Sequence, residues 1–122
     1  MIENYRLTMS YNEKIKLSEE WDGDNTLSTT LIKSDLIQSN GSAVEIQITV
    51  RGVSGDSDNV EIYQFIENDT EGYLISKVAL NSDTEVIKNC FVKTVQSFKI
   101  GLKMETGSSE TPNYKGEYSV IT

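Results

Sequence analysis

The sequence predicts an all-β protein: a two-sheet antiparallel β-sandwich, jelly-roll or Ig-like, of about eight strands. Three observations predict it. Apolar and polar residues alternate with period two, most cleanly in "SAVEIQITVRG" and "SFKIGLKM". Gly, Asn, Asp and Ser break that alternation roughly every ten residues, the rhythm of a sandwich or barrel. No long segment carries the apolar stripe of an amphipathic helix.

Taken in chain order, the first element is an odd-numbered register: Tyr5, Leu7, Met9 and Tyr11, then Ile15, Leu17 and Trp21. It reads as one long strand, or two collinear ones kinked near "YNEK". Residues 1–12 are expected to be an N-terminal strand or connector arm, and 13–122 a single β-sandwich domain. The length of 122 residues fits one core and not two. In "LSTTLIKSDLIQ", Leu27, Leu31, Ile32 and Leu36 could make a helical stripe. The β-branched Thr29 and Thr30, and the strands on either side, favour an extended segment instead.

"SAVEIQITVRG" follows, with Val44, Ile46, Ile48 and Val50 facing one way and Glu45, Gln47 and Thr49 the other. "DNVEIYQFIEN" is apolar on both faces, Val60 and Ile62 on one and Tyr63 and Phe65 on the other. "ENDTEG" is a turn in which Gly72 is expected to adopt positive φ. "YLISKVAL" places Leu74, Val78 and Leu80 in phase, and "EVIKN" reads as a short strand. "SFKIGLKM" points Phe98, Ile100, Leu102 and Met104 inward. Pro112 falls in the long "ETGSSETPNYKG" loop, where a missing amide donor costs nothing. In "PNYKGEYSVIT", Gly116 is expected to allow entry from that loop into a closing strand with Tyr118 and Val120 facing the core.

Charge and composition narrow the function classes. Formal net charge is −8, and the 11 basic residues are scattered singly. Nucleic acid and anionic membrane surfaces both require clustered Lys and Arg, so neither is expected as a partner. No stretch approaches the ~18–20 apolar residues of a membrane span. The N-terminus lacks the basic, apolar and small-residue regions of a signal peptide, which predicts synthesis in the cytoplasm from the initiator Met. For the same reason the glycosylation patterns at Asn40 and Asn68 are set aside. Cys90 is the single cysteine, so an intrachain disulfide is impossible and a small buried hydrophobe is expected.

The sequence contains no histidine. That removes Ser-His-Asp triads and ordinary zinc sites, and no glycine-rich phosphate loop is present. No catalytic residues and no cofactor are assigned, and the chain is not expected to be an enzyme. The acidic turns "EEWDGDN" and "SGDSDN" do not match a calcium-binding loop. Asp22, Asp24, Asp56 and Asp58 are the weak candidates for a Ca²⁺ shared between loops. Trp21, Tyr63, Phe65 and Tyr73 are the candidates for a sugar-stacking face.

The heaviest signal is two-faced apolarity beside sheet edges. A first strand with a free end and a last strand without a tail predict unpaired backbone groups, open to strand addition by a neighbour. The expected interface is Ile2, Tyr5, Leu7 and Met9 of an arm, with Tyr63 and Phe65. The expected partners are other copies of the same chain.

The last third, "DTEVIKNCFVKTVQSFKIGLKMETGSSETPNYKGEYSVIT", carries V-x-S-[hydrophobic]-x-I-x-L, a Ser/Thr-rich loop and a terminal G-x-Y-x-[hydrophobic]. This order resembles the jelly-roll subunits of Bacillus-type endospore appendages, which stack into pilus-like fibres. The resemblance implies that residues 1 to about 12 connect to the next subunit, and that Gly116, Tyr118 and Val120 form the closing strand. Those subunits carry cross-linking N-terminal cysteines, whereas this N-terminus has none. The resemblance therefore implies a fibre that is non-covalent or built by another route, in an extracellular or particle-surface assembly. Phage virion or tail accessory proteins share the terminal pattern and are the first alternative. A carbohydrate- or Ca²⁺-binding module is the second.

Overall fold

The computed structural model of the chain describes residues 15–16, 26–39, 41–51, 58–80, 85–106 and 112–121. Among them are eight strands and no helix: β1 (Ile15–Lys16), β2 (Ile32–Lys33), β3 (Ala43–Arg51), β4 (Asn59–Ile66), β5 (Tyr73–Ala79), β6 (Glu85–Lys93), β7 (Phe98–Met104) and β8 (Asn113–Ile121). They form two antiparallel sheets in the orders β1-β8-β3-β6 and β2-β7-β4-β5. The pairs β1·β8, β2·β7, β3·β6 and β4·β5 are nested, as if one long hairpin had been rolled until β8 met β3 and β7 met β4. That wrap is jelly-roll topology, which decides between the two sandwich types the sequence allows.

The roll also corrects an expectation. β8 pairs with β3 along its whole length and with β1 at Tyr118 and Glu117, so the last strand is not an edge. Being last in sequence does not place a strand last in a sheet when its two sides are taken by the first and third strands. Gly116 sits mid-strand opposite Ile48 and so does not form the entry from the preceding loop.

The core is the dry layer between the sheets. Val44, Ile46, Ile48 and Val50 of β3 are fully buried, facing Val60 and Ile62 of β4 and Phe98, Ile100, Leu102 and Met104 of β7. Leu27 and Ile37 fill it from the segment that precedes β3. That segment is extended but irregular. It meets β7 at the two residues of β2 and again where Ile37 and Phe98 exchange main-chain bonds. Where the ladder fails between them, the Ser34 amide donates to the Ile100 carbonyl and the Ile100 amide donates to Ser34 Oγ. A buried serine thus substitutes for a strand partner.

Two details shape the outer face of the second sheet. A β-bulge lies between Ile62 and Tyr63, so that Ser76 opposes Ile62 while Leu74 opposes Tyr63. The bulge takes Leu74 out of phase with Val78 and Leu80, and Leu74 is exposed rather than in the core. In the turn after β4 the residue with positive φ is Glu67 (48°), whereas Gly72 meets a different need. A Cβ at Gly72 would stand 2.6 Å from Phe65 Cζ. A Cβ at Gly101 would stand 2.6 Å from Phe65 Cε1 and 3.1 Å from Leu31 Cδ1. Both glycines are spaces for one ring. Since Gly72 already crowds the ring elsewhere, it cannot retreat freely from a methyl at 101. Gly101→Ala is therefore expected to lower stability by about 1–3 kcal/mol, read as an earlier midpoint in urea with unchanged slope.

Candidate functional site

β4 alternates between the core and the outer face of the β2-β7-β4-β5 sheet, and its outward residues are Glu61, Tyr63 and Phe65. Their cross-strand neighbours complete the face: Lys77 and Lys103 beside Glu61, Leu74 and Gly101 beside Tyr63, Lys99 beside Phe65. Lys33 of β2 also lies opposite Gly101. Such directly opposed side chains interact across a sheet as neighbouring turns do on a helix.

The charges are matched in a chain. The Tyr63 hydroxyl donates to Glu61 Oε1 at 2.7 Å. Lys103 Nζ lies 3.5 Å from the same oxygen and Lys77 Nζ 3.8 Å from Oε2. Lys77 donates onward to Glu105 Oε2 at 3.1 Å, and Asn59 Nδ2 donates to Glu105 Oε1 at 2.9 Å. The hydrogen bonds from Asn59 and then Lys77 hold the Glu105 carboxyl below its ordinary range, and the same contact with Glu105 raises the Lys77 ammonium. The hydrogen bond to Glu61, followed by burial and the negative charge of Glu61 and Glu105, pushes the Tyr63 phenol up to about 12.

Phe65 is buried on this outer face, not in the core. Its ring lies under the Lys33 ammonium, 4.2 Å from the centroid, and is tilted 46° to Tyr63 at 6.4 Å. Leu31, Tyr63, Phe65, Thr70, Gly72 and Lys103 line a shallow groove of about 330 Å³. A second groove of about 350 Å³, lined by Asp69 to Tyr73, shares Thr70 and Gly72 with it. Tyr73 leaves two-thirds of its surface open there, so it and not Phe65 offers a free ring. Carboxylates, an ammonium, a hydroxyl and one open aromatic face suit hydrogen bonding to a polyhydroxylated surface.

A second surface lies on the other sheet. β6 is paired with β3 through all nine of its residues and, among the described residues, with no strand on its other side. Its outward positions read Glu85, Ile87, Asn89, Phe91, Lys93. Ile87 and Phe91 are 54% and 65% exposed. "EVIKNCFVK" is apolar on both faces, the same signal as in β4, but a strand that ends at Asn89, as the sequence suggests, hides it. The inward side holds Val86, Lys88, Cys90 and Val92. Burial raises the Cys90 thiol, with Ser76 and Lys88 opposing, which leaves it a packing group rather than a nucleophile.

The sequence-designated residues fall as follows. Tyr63 and Phe65 come together as described, and Tyr118 and Val120 are partly buried against the core. Asp58 is buried, with Oδ1 accepting from the amides of Asn59 (2.8 Å) and Thr106 (3.1 Å), which ties the start of β4 to the end of β7. Ile2, Tyr5, Leu7, Met9, Trp21, Asp22, Asp24 and Asp56 lie outside the described residues. Among the described residues no three His, Cys, Asp or Glu side chains gather to hold a metal ion. Nor is any helix of theirs long and apolar enough to cross a membrane. Glu61, Lys77, Lys103 and Glu105 are not singled out by sequence, because lone charges on strands carry no marker of which opposite charge they will meet.

No protein-family model matches the chain, and no curated protein matches its sequence. Among solved structures it is similar to a xylan-binding module, CBM15, with a TM-score of 0.56 and 14% identity over 84% of this chain and 80% of that one. It is also similar to a chain in the structure of the Gx strain of infectious bursal disease virus, with a TM-score of 0.56 and 10% identity over 88% of this chain. The match spans 31% of the viral chain. At these identities the likeness establishes the β-sandwich fold and nothing finer. Neither protein bears on endospore appendages, so that resemblance rests on the C-terminal pattern alone.

Because the folded state holds the Tyr63 proton more tightly, its contribution to stability is complete below pH 10.0 and is lost as pH rises through about 12. Absorbance titration of the tyrosines should show a component ionising near pH 12 that moves down in Glu61→Gln.

Proposed function

We propose that the chain is a structural subunit that assembles with copies of itself through the open edges of its sheets. One observation carries the reading: β6, an edge strand among the described residues, turns two large apolar side chains outward along an otherwise regular nine-residue ladder. Edge strands of monomers are usually blunted by charge, proline or a bulge; β6 carries charges at its ends and at Lys88, but the exposed apolar pair between its ends invites strand addition. β5, the edge of the other sheet among the described residues, leaves Leu74 exposed on the outer face and Tyr73 exposed at its start.

In this reading residues 1–12 act as an arm that adds as a strand to a neighbour's β5 edge. Ile2, Tyr5, Leu7 and Met9 then settle beside Leu74 and the Tyr63–Phe65 face. Main-chain bonds supply the ladder and the alternating apolar residues its register. A head-to-tail contact of this kind extends into a fibre or the wall of a particle wherever its rotation does not close a ring. The viral likeness lends support for a particle, and the assembly then belongs outside the cell or on a particle surface. Deleting residues 1–12 is expected to leave the far-ultraviolet circular dichroism of the sandwich intact while abolishing filaments in negative-stain electron microscopy. Filaments that persist after the deletion would sink the arm mechanism, and a full-length protein that stays monomeric would sink the assembly reading.

A second reading, a carbohydrate-binding module, is favoured by the open Tyr73 ring between Asp69, Glu71 and the shared groove. The xylan-binding likeness supports the same class of ligand. On this reading the protein is retarded in xylan-containing native gels, and Tyr73→Ala migrates freely.

A further inference from the structure

Reversed about its centre, the outward side of β6 keeps its apolar positions and inverts the sign of its end charges. Glu85 and Lys93 stand at the ends, Ile87 and Phe91 inside them, and Asn89 in the middle. From this we infer a two-fold interface: β6 pairs antiparallel with β6 of a second copy, about an axis through Asn89. The proposal rests on the assembly reading and names one of its joints.

In this register Glu85 faces Lys93 of the copy, Ile87 faces Phe91 of the copy, and Asn89 faces itself. Each contact occurs twice, as two-fold symmetry requires. On the inward side Val86 meets Val92 of the copy, and Lys88 meets Cys90 of the copy. That pairing gives the lysine the smallest residue on its side of the strand. Neighbouring registers do worse. An axis through Lys88 sets that ammonium against itself and leaves Ile87 against Asn89 of the copy. An axis through Cys90 sets Lys93 against Ile87 of the copy and leaves Glu85 without a partner. An inward-pointing lysine on an edge ordinarily discourages strand addition. Here it acts as a selector, tolerating one register and penalising the adjacent ones.

The product is a continuous sheet through both subunits, with β1-β8-β3-β6 of one running into the same four strands of the other in reverse order. β6 keeps its full ladder to β3 on the far side.

The test uses the full chain. Glu85→Lys and Lys93→Glu each set like charges opposite one another twice per dimer. Each should weaken association about tenfold or more in sedimentation velocity. The double variant, Glu85→Lys with Lys93→Glu, restores opposite charges and should recover wild-type association. Within each subunit Glu85 approaches Arg51 at 3.9 Å, and the double variant still lacks that contact. Recovery therefore separates the interface from the internal ion pair. Asn89→Cys in a Cys90→Ala background should oxidise to a single disulfide-linked dimer. Residues opposed across antiparallel strands lie about 4.5–5.5 Å apart at Cα, within disulfide reach. Association that ignores both single reversals, or an Asn89→Cys protein that assembles without cross-linking, overturns this interface while leaving assembly standing. A wild-type chain that is monomeric at every concentration overturns both.

Discussion

One constraint governs this fold: two central strand pairs, β3·β8 and β4·β7, must enclose a layer without water. β3 and β4 each bond to a strand on both sides, so their backbone polar groups are satisfied without solvent. Only then can Val44, Ile46, Ile48 and Val50 face Ile62, Ile100 and Leu102 with no exposure at all. Each such aliphatic side chain contributes about 1.5–3 kcal/mol on burial, and in a chain of this size that layer supplies most of the driving force. The remaining features occupy the space it leaves. Leu27 and Ile37 close the layer, while Ser34 repairs the ladder where their segment cannot hold strand geometry.

Because the interior is satisfied by one face of each sheet, the other faces are free to differ. The outer face of β2-β7-β4-β5 is a matched electrostatic surface. Glu61 is held between two ammoniums and a phenol, and Phe65 is pinned by two glycines and a lysine. Exposed single ion pairs contribute little to stability, so the interest of this network lies in how it orders the groove. The outward side of β6 has no such ordering. Its apolar residues are flanked by opposite charges and meet no strand among the described residues. One face is internally matched, and the other leaves apolar side chains open.

The limits of sequence reading show at particular residues. Leu74 shares its spacing with Val78 and Leu80, yet a bulge opposite Tyr63 sends it outward. A bulge is one residue of register between two strands, and neither strand alone records it. Gly72 has the sequence context of a turn glycine but is a space for a ring from β4, while the turn's positive φ falls on Glu67. Phe65 is legible as outward-facing, but its burial beneath Lys33 is not, since Lys33 is far away in sequence. Of the outer-face site, Tyr63 and Phe65 are legible from aromatic spacing, as is Tyr73 in the neighbouring groove. The charges that organise it are not.

The sequence by itself determined the period, and with it the class. Alternation with frequent turn residues favours strands, and amphipathic strands of this number and length bury one face by stacking two sheets or closing a barrel. The lack of histidine, the lone cysteine and the scattered basic residues were likewise settled without reference to shape. Tertiary structure decided which strands became neighbours: that β8 lies inside its sheet, that β6 and β5 are edges among the described residues, and that Glu61 meets Lys77 and Lys103. The reason is physical. Side-chain alternation is local, whereas pairing partners are chosen by the long-range hydrogen bonds and packing that close the roll.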